Sequence, residues 1–251
     1  MKWVPWLAAP FLIWELLRPA DRAMPRWSYL AWFLSGLVAS IAVVSLPFIL
    51  RDISNFLMPY TIQGNRGIIG ESIWFPFALL LDPHLLRHLS APWSSVVDPP
   101  FSNRLTIAVQ MAGLAGLGLL QIILPADRRR TLVFAALAPA LFLVLNRIFS
   151  PQYLVLITAS MLSAAASIHL PGRRVEVLVT LLALMQIANL LIWPNTASFW
   201  LVASVVLFGV AIGVIAWLVV YSLRYPAPRP LGVSTAHSTR LWNTIHRNDE
   251  R

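Results

Sequence analysis

Apolar runs long enough to cross a lipid bilayer recur along this chain with little between them, and that succession limits the fold more than any other feature. A span needs about 20 mostly apolar residues to cross a hydrocarbon core of about 30 Å. Residues 28–50, 105–124, 132–149, 151–170, 177–193 and 199–221 meet that length or come close to it. The mean hydropathy is +0.72. Hydrophobic residues make up 58% of the chain and charged residues 12%, against roughly 25% charged in soluble domains. The expected fold class is an all-α membrane protein, a polytopic helical bundle of six to seven transmembrane helices. The chain has no cysteine, which excludes disulfide frameworks, thiol nucleophiles and Cys-ligated zinc or iron–sulfur sites.

The seventh candidate, residues 3–17, is shorter and carries Glu15; it reads as a span, a half-span or an interfacial helix. A signal peptide fits less well, because Glu15 and Arg18 interrupt the apolar region and no A-x-A cleavage site follows. The formal charge of +9 does not gather on one helix face, as it would in a nucleic-acid binder. The arginines recur instead in short loops, and such loops collect on the cytoplasmic side. The end of the chain carries Arg224, Arg229, Arg240, Arg247 and Arg251. Placing it inside puts "PGRR" (171–174), "DRRR" (127–130) and "RPADRAMPR" (18–26) inside as well. The expectation is a multi-pass plasma membrane protein with a cytoplasmic C-terminus and residues 51–104 extracytoplasmic.

Both ends of that outer insert lie on one side, so "IWFPFALLL" (73–81) is not a crossing. It reads as a re-entrant or interfacial helix interrupted by Pro76, since irregular backbone at that depth is tolerated only against protein or a watery cavity. The junction "NRIFSPQY" (146–153) reaches the same face. There Ser150 suits a helix cap and Pro151 a first turn. A tight turn accounts for those two but not for Arg147, Gln152 and Tyr153 beside them. Tyr153 also suits an aromatic belt, as do Trp193 and Trp200 around "PNTAS". In "NRGIIGESIW" (65–74), Arg66 and Glu71 read either as an ion pair or snorkelling pair at the interface, or with Arg147 as the mark of an anionic headgroup site, because guanidinium forks suit phosphate.

Taken in order, "MPYTIQGNRGIIGESIW" and "NRIFSPQYLVLI" resemble the C-terminal half of the glycosyltransferase family 87 membrane proteins, which carry an Arg-Gly-x-x-x-Glu-Ser-x-Trp stretch and a later Phe-Ser-Pro-Gln-Tyr stretch. The opening "KWVPWLAAPFLIW" is similar to the segment that precedes them in that family, so the resemblance covers roughly residues 2–153. It implies a GT-C-like enzyme that transfers a sugar, mannose first, from a polyprenyl-phosphate donor to an acceptor on the extracytoplasmic face. It also implies Arg66, Glu71, Ser72, Arg147, Gln152 and Tyr153 as substrate-binding residues, and no cofactor. Family members place a catalytic aspartate in an N-terminal half that this sequence does not match. Asp52, Asp82 and Asp98 sit in no matching motif, so the catalytic base is unknown. The expectation is the C-terminal part of a longer or split enzyme, completed by a separate N-terminal half or subunit, or a shortened homologue without the chemistry.

Other chemical signatures are sparse. No P-loop, G-x-S-x-G or H-E-x-x-H occurs. "HLLRH" sets His84 and His88 on one helix face, but without a third ligand; with Leu85, Leu86 and Leu89 the stretch reads better as an amphipathic interfacial helix, and a divalent metal has no support. Gly113, Gly116 and Gly118 suit close helix packing. Residues 1–221 form one membrane domain. Residues 222–251 read as a basic, disordered cytoplasmic tail, solvated or resting on anionic lipid. Two rival readings stay open: a non-catalytic subunit or lipid-binding scaffold, and a transporter. A transporter calls for inverted repeats or ionisable groups at mid-membrane, where Gln110, Gln186 and Asn189 are the nearest polar residues. No nucleic-acid partner is expected.

The arginine alternation makes a topological prediction. Single cysteines at Asn65 and Asn195 should react with an impermeant maleimide from outside intact cells, and cysteines at Ala126 and Ser238 should not. Labelling at Ala126 would reverse the orientation.

Overall fold

The computed structural model describes residues 4–17, 26–65, 68–69, 72–84, 95–97, 99–125, 127–150, 152–192 and 199–225. A 3-10 turn at Val4–Ala8 leads into α1 (Ala9–Leu17), α2 (Arg26–Arg51), α3 (Ile53–Asn65), strand β1 (Ile68–Ile69), α4 (Trp74–Leu81) and strand β2 (Ser95–Val97). There follow α5 (Pro99–Ile123), α6 (Arg128–Val144), α7 (Tyr153–Ser167), α8 (Gly172–Ile192) and α9 (Trp200–Arg224). The two strands pair antiparallel, with Ile68 opposite Val97 and Ile69 opposite Ser95. The long apolar runs fold mainly as helices. Four helices, Trp27–Arg51, Arg104–Ile123, Gly172–Ile192 and Trp200–Arg224, are long and apolar enough to cross a membrane, and the chain is a helical, multi-pass membrane protein.

The bundle is organised around α6. This helix packs against α7, α9, α5, α1 and the 3-10 turn, and it is buried nearly all round from Arg130 to Val144. An α-helix apolar on every face is a core helix, whereas a one-sided stripe marks a surface helix. Its partners contribute Ile157 and Met161 from α7 and Leu207 and Leu218 from α9 to the core around Phe134 and Leu137. Gly113 of α5 is what lets α5 come close: a Cβ there would lie 3.1 Å from Leu145 Cδ1 and 3.3 Å from Leu141 Cδ2. Gly116 and Gly118 face open space instead, so of the three glycines only Gly113 has the packing role expected. The outer helices turn apolar side chains away from the bundle, among them Val43 of α2, Ile122 of α5, Leu190 of α8 and Val202 of α9. That is the arrangement expected where the surrounding solvent is lipid.

Several expected boundaries shift. Residues 3–17 were open between a span, a half-span and an interfacial helix. The nine residues of α1 reach only about 14 Å at 1.5 Å per residue, and α1 docks on α6 with Phe11 edge-on to Phe134 at 6.5 Å between ring centroids. Apolar residues 145–149 follow α6 without continuing it. Asn146 turns the chain by accepting the Ile148 N–H at its side-chain oxygen, 3.1 Å. Neither α6, at 17 residues, nor α7, at 15, has the length of the four spans. Ser150 does not cap α7 with its side chain: Gln152 holds the N-cap position without a side-chain bond, and the Ser150 carbonyl accepts from Tyr153 N at 2.8 Å. Pro76 falls in the first turn of α4, where it interrupts nothing. The expected tail boundary at Ser222 moves too, because α9 runs on to Arg224 and Ser222 is buried.

Because α6 is the core, substitutions in it should cost far more than substitutions on the lipid-facing helices. Leu137→Ala should lower unfolding free energy in detergent by about 2–5 kcal/mol through the cavity it leaves. Leu190→Ala, on the exposed face of α8, should stay within about 0.5 kcal/mol. Equal costs would contradict the central placement of α6.

Candidate functional site

The end of α6 explains how two segments far apart in sequence come together. The last carbonyls of an α-helix have no partners within it. Here Leu145 N serves Leu141 O at 3.0 Å and Asn146 N serves Leu143 O at 3.2 Å. Gln110 Nε2 crosses from α5 to Phe142 O at 2.6 Å. Past the helix, Trp74 Nε1 donates to Leu145 O at 2.8 Å, and Ile69 N donates to Arg147 O at 3.3 Å. The stretch before α4 is thus fastened to the α6–α7 junction by two hydrogen bonds. A carbonyl held away from water is costly without its donor.

Local turns shape the insert for this contact. Ser72 N donates to Ile69 O at 3.0 Å and Phe75 N to Ser72 O at 3.2 Å. Ser72 Oγ also donates to Ile69 O, at 2.9 Å, and Ser72 is fully buried. Phe75 then packs on Trp200, the first residue of α9, at 5.4 Å between centroids. Trp200 is therefore no aromatic-belt residue; it is buried beneath the insert. The α6–α7 junction, the start of α9 and the insert meet at one end of the bundle, the Arg147 end.

Of the substrate-binding residues expected from sequence, Ser72, Arg147, Gln152 and Tyr153 lie at this end. Arg66, Glu71 and Trp193 lie outside the described residues. Arg147 is 8% exposed, and burial holds its guanidinium below the ordinary arginine value. Tyr153 is buried with its ring edge-on to Phe149 at 6.0 Å, and Phe149 in turn meets Phe208 of α9 at 5.0 Å. Gln152 is exposed. The Arg147 end thus carries a buried guanidinium, a cluster of stacked aromatic rings and an exposed amide within a few residues of one another in sequence.

Two of the acids expected on the outer face are engaged locally. Asp52 caps α3, accepting from Asn55 N at 3.0 Å and from Asn55 Nδ2 at 2.6 Å. Asp82 accepts from His84 N at 2.9 Å in the turn that closes α4. Asp98 and His88 lie outside the described residues. Among the described residues, no three His, Asp or Glu side chains gather to hold a metal.

A second polar group sits at the opposite end. Asp127 caps α6 by accepting from Arg129 N at 2.9 Å and Arg130 N at 3.4 Å. Thr131 Oγ1 lies 3.0 Å from Glu15 Oε2 as donor and accepts from Gln121 Nε2 at 2.6 Å, which ties α1, α5 and α6 together. Nearby in depth, the Arg174 guanidinium lies 4.7 Å from the Tyr221 ring centroid and 5.4 Å from that of Tyr225, joining the start of α8 to the end of α9. The sequence reading took this end only as arginine-bearing loops, Trp74 only as part of the family motif, and Gln110 only as a polar residue near mid-membrane. The signal for Trp74 was its place in the same stretch as Arg66 and Glu71. No family model, curated protein or solved structure matches the chain.

Proposed function

We propose that this protein handles a polyprenyl-phosphate sugar at the Arg147 end, as a membrane glycosyltransferase or part of one, with that end facing the extracytoplasmic side of the plasma membrane. The observation that carries the reading is the buried Arg147, held in a loop that the Ile69 and Trp74 hydrogen bonds fix to the insert. Arginine stays charged at any physiological pH and pairs with phosphate through two parallel bonds. Arg66, three residues before Ile69 in sequence, is a second candidate for the phosphate. In the reaction, an acceptor hydroxyl attacks the anomeric carbon and the bond from that carbon to the phosphate oxygen breaks. Polyprenyl phosphate leaves with the electron pair while a carboxylate takes the hydroxyl proton. Proton transfer by such a base contributes about 10²- to 10⁴-fold. Arg147 holds the leaving phosphate as its charge grows.

The base has a less ready candidate. Asp52 and Asp82 are engaged in a helix cap and a turn, which favours a carboxylate supplied from another segment or partner and keeps the lipid-binding scaffold as a second reading. A transporter draws less support: Gln110 is spent on the Phe142 carbonyl, and Gln186 donates to Thr158 Oγ1 at 3.2 Å, both helix-to-helix contacts.

In nanodiscs, the chain should bind a radiolabelled polyprenyl-phosphate mannose. Arg147→Ala should weaken binding about ten- to hundredfold, the scale of one charge-assisted hydrogen bond. Arg147→Lys should fall between, since it keeps the charge and loses the fork. Transfer should need an added outer-loop carboxylate from a partner. Unchanged binding by Arg147→Ala would overturn the donor site, and robust turnover by the chain alone would send the search for the base to its own outer acids.

A further inference from the structure

The Arg147 end carries an apolar surface that none of the foregoing uses. The eight residues of α4, "WFPFALLL", divide cleanly by helical position. Phe75 and Leu79, one turn apart, pack with Trp200 and Ile68. On the other face, Phe77, Leu80 and Leu81 are 58%, 81% and 89% exposed. A patch of that kind on a short helix marks an interaction surface rather than a surface for water.

Three observations identify its partner as lipid. The patch adjoins a lipid-facing helix: Phe75 stacks on Trp200, and Phe199 just before it and Val202 two residues after it are themselves exposed at the start of a helix long and apolar enough to cross a membrane. Several donors at the ends of α4 are already met, which suits an apolar medium. Phe75 N bonds Ser72 O, Pro76 has no N–H in the first turn, the Trp74 indole is spent on Leu145 O, and Asp82 N closes the last turn on Ala78 O. The apolar face then stops abruptly at exposed Asp82, Pro83 and His84, where Asp82 turns back to cap the His84 N–H. That is the order of groups met in passing from hydrocarbon to headgroups.

We propose that Phe77, Leu80 and Leu81 are immersed in the hydrocarbon of the leaflet at the Arg147 end. The insert is then a lipid-anchored clamp: one face of α4 rests in the bilayer, while Trp74 and the residues before it hold the Arg147 loop at headgroup depth. This inference rests on the membrane-spanning helices and not on sugar transfer, so either can fail without the other.

The absence of native cysteine gives a clean test. Leu81→Cys and, separately, Phe77→Cys are labelled with an environment-sensitive fluorophore in phosphatidylcholine nanodiscs. Val155→Cys, 73% exposed near the start of α7, is the lipid-facing reference. Both α4 probes should emit as far to the blue as the Val155 probe, lose intensity when doxyl-labelled lipid is included, and resist aqueous iodide. Quenching by iodide without quenching by doxyl lipid would place the face in water and overturn the proposal. Resistance to both quenchers would mean that protein, a second copy included, covers the face, and would overturn it equally. If either variant fails to fold, the other carries the test.

Discussion

A helix that ends away from water must find donors for its last carbonyls, and much of this structure follows from how α6 meets that demand. Its final turn is served partly by its own chain, at Leu141 and Leu143, and partly by Gln110 from α5. Beyond the helix the same need draws in the insert, through Trp74 to Leu145 and Ile69 to Arg147. The insert then has a fixed place over the bundle, Phe75 finds Trp200, and the start of α9 is covered. The joined arrangement is a consequence of capping: the segment that carries Ile69 meets the main-chain carbonyl of the buried Arg147.

Polar and charged groups are distributed to match. At the opposite end Asp127 caps the start of α6, and Thr131 bridges Glu15 and Gln121. The Asp127 end is knitted mostly by contacts between side chains. At the Arg147 end, main-chain carbonyls are met by donors from the insert, and burial lowers the affinity of the Arg147 guanidinium for its proton. The functional reading is placed there because the insert and the α6–α7 junction meet there.

What was legible in the sequence was whatever hydropathy measures directly. α2, α5, α8 and α9 stand out because one side of each faces apolar surroundings along its whole length, and their runs coincide with the helices. The length of α6 was misread because Leu145, Ile148 and Phe149 are as apolar as the helix before them; they lie in a turn, Ile148 and Phe149 buried and Leu145 partly so, and hydropathy does not separate such a turn from a buried helix. Trp200 was misplaced for a related reason. A tryptophan at a helix end suits an interface equally whether lipid or another ring covers it, and only the Phe75 contact decides. α3 carried too mixed a composition to be read as a helix, and Asp52, its cap, was weighed only as a possible base. The association of "NRGIIGESIW" with "NRIFSPQY" was legible as a shared face. The bonds that make it, to main-chain carbonyls, leave no mark in residue types except Trp74.

The account depends most on the insert being fixed to the α6–α7 junction and not merely near it. Hydrogen exchange of the Ile69 amide in lipid nanodiscs tests this most directly, because its proton is the one donated to the Arg147 carbonyl, and protection reports the free energy of local opening. The bonded arrangement predicts exchange at Ile69 nearly as slow as at the core amides of α6 and far slower than at the exposed amides of α3. Exchange at Ile69 as fast as in α3 would mean that the insert opens freely, and would contradict the joined site at the Arg147 end.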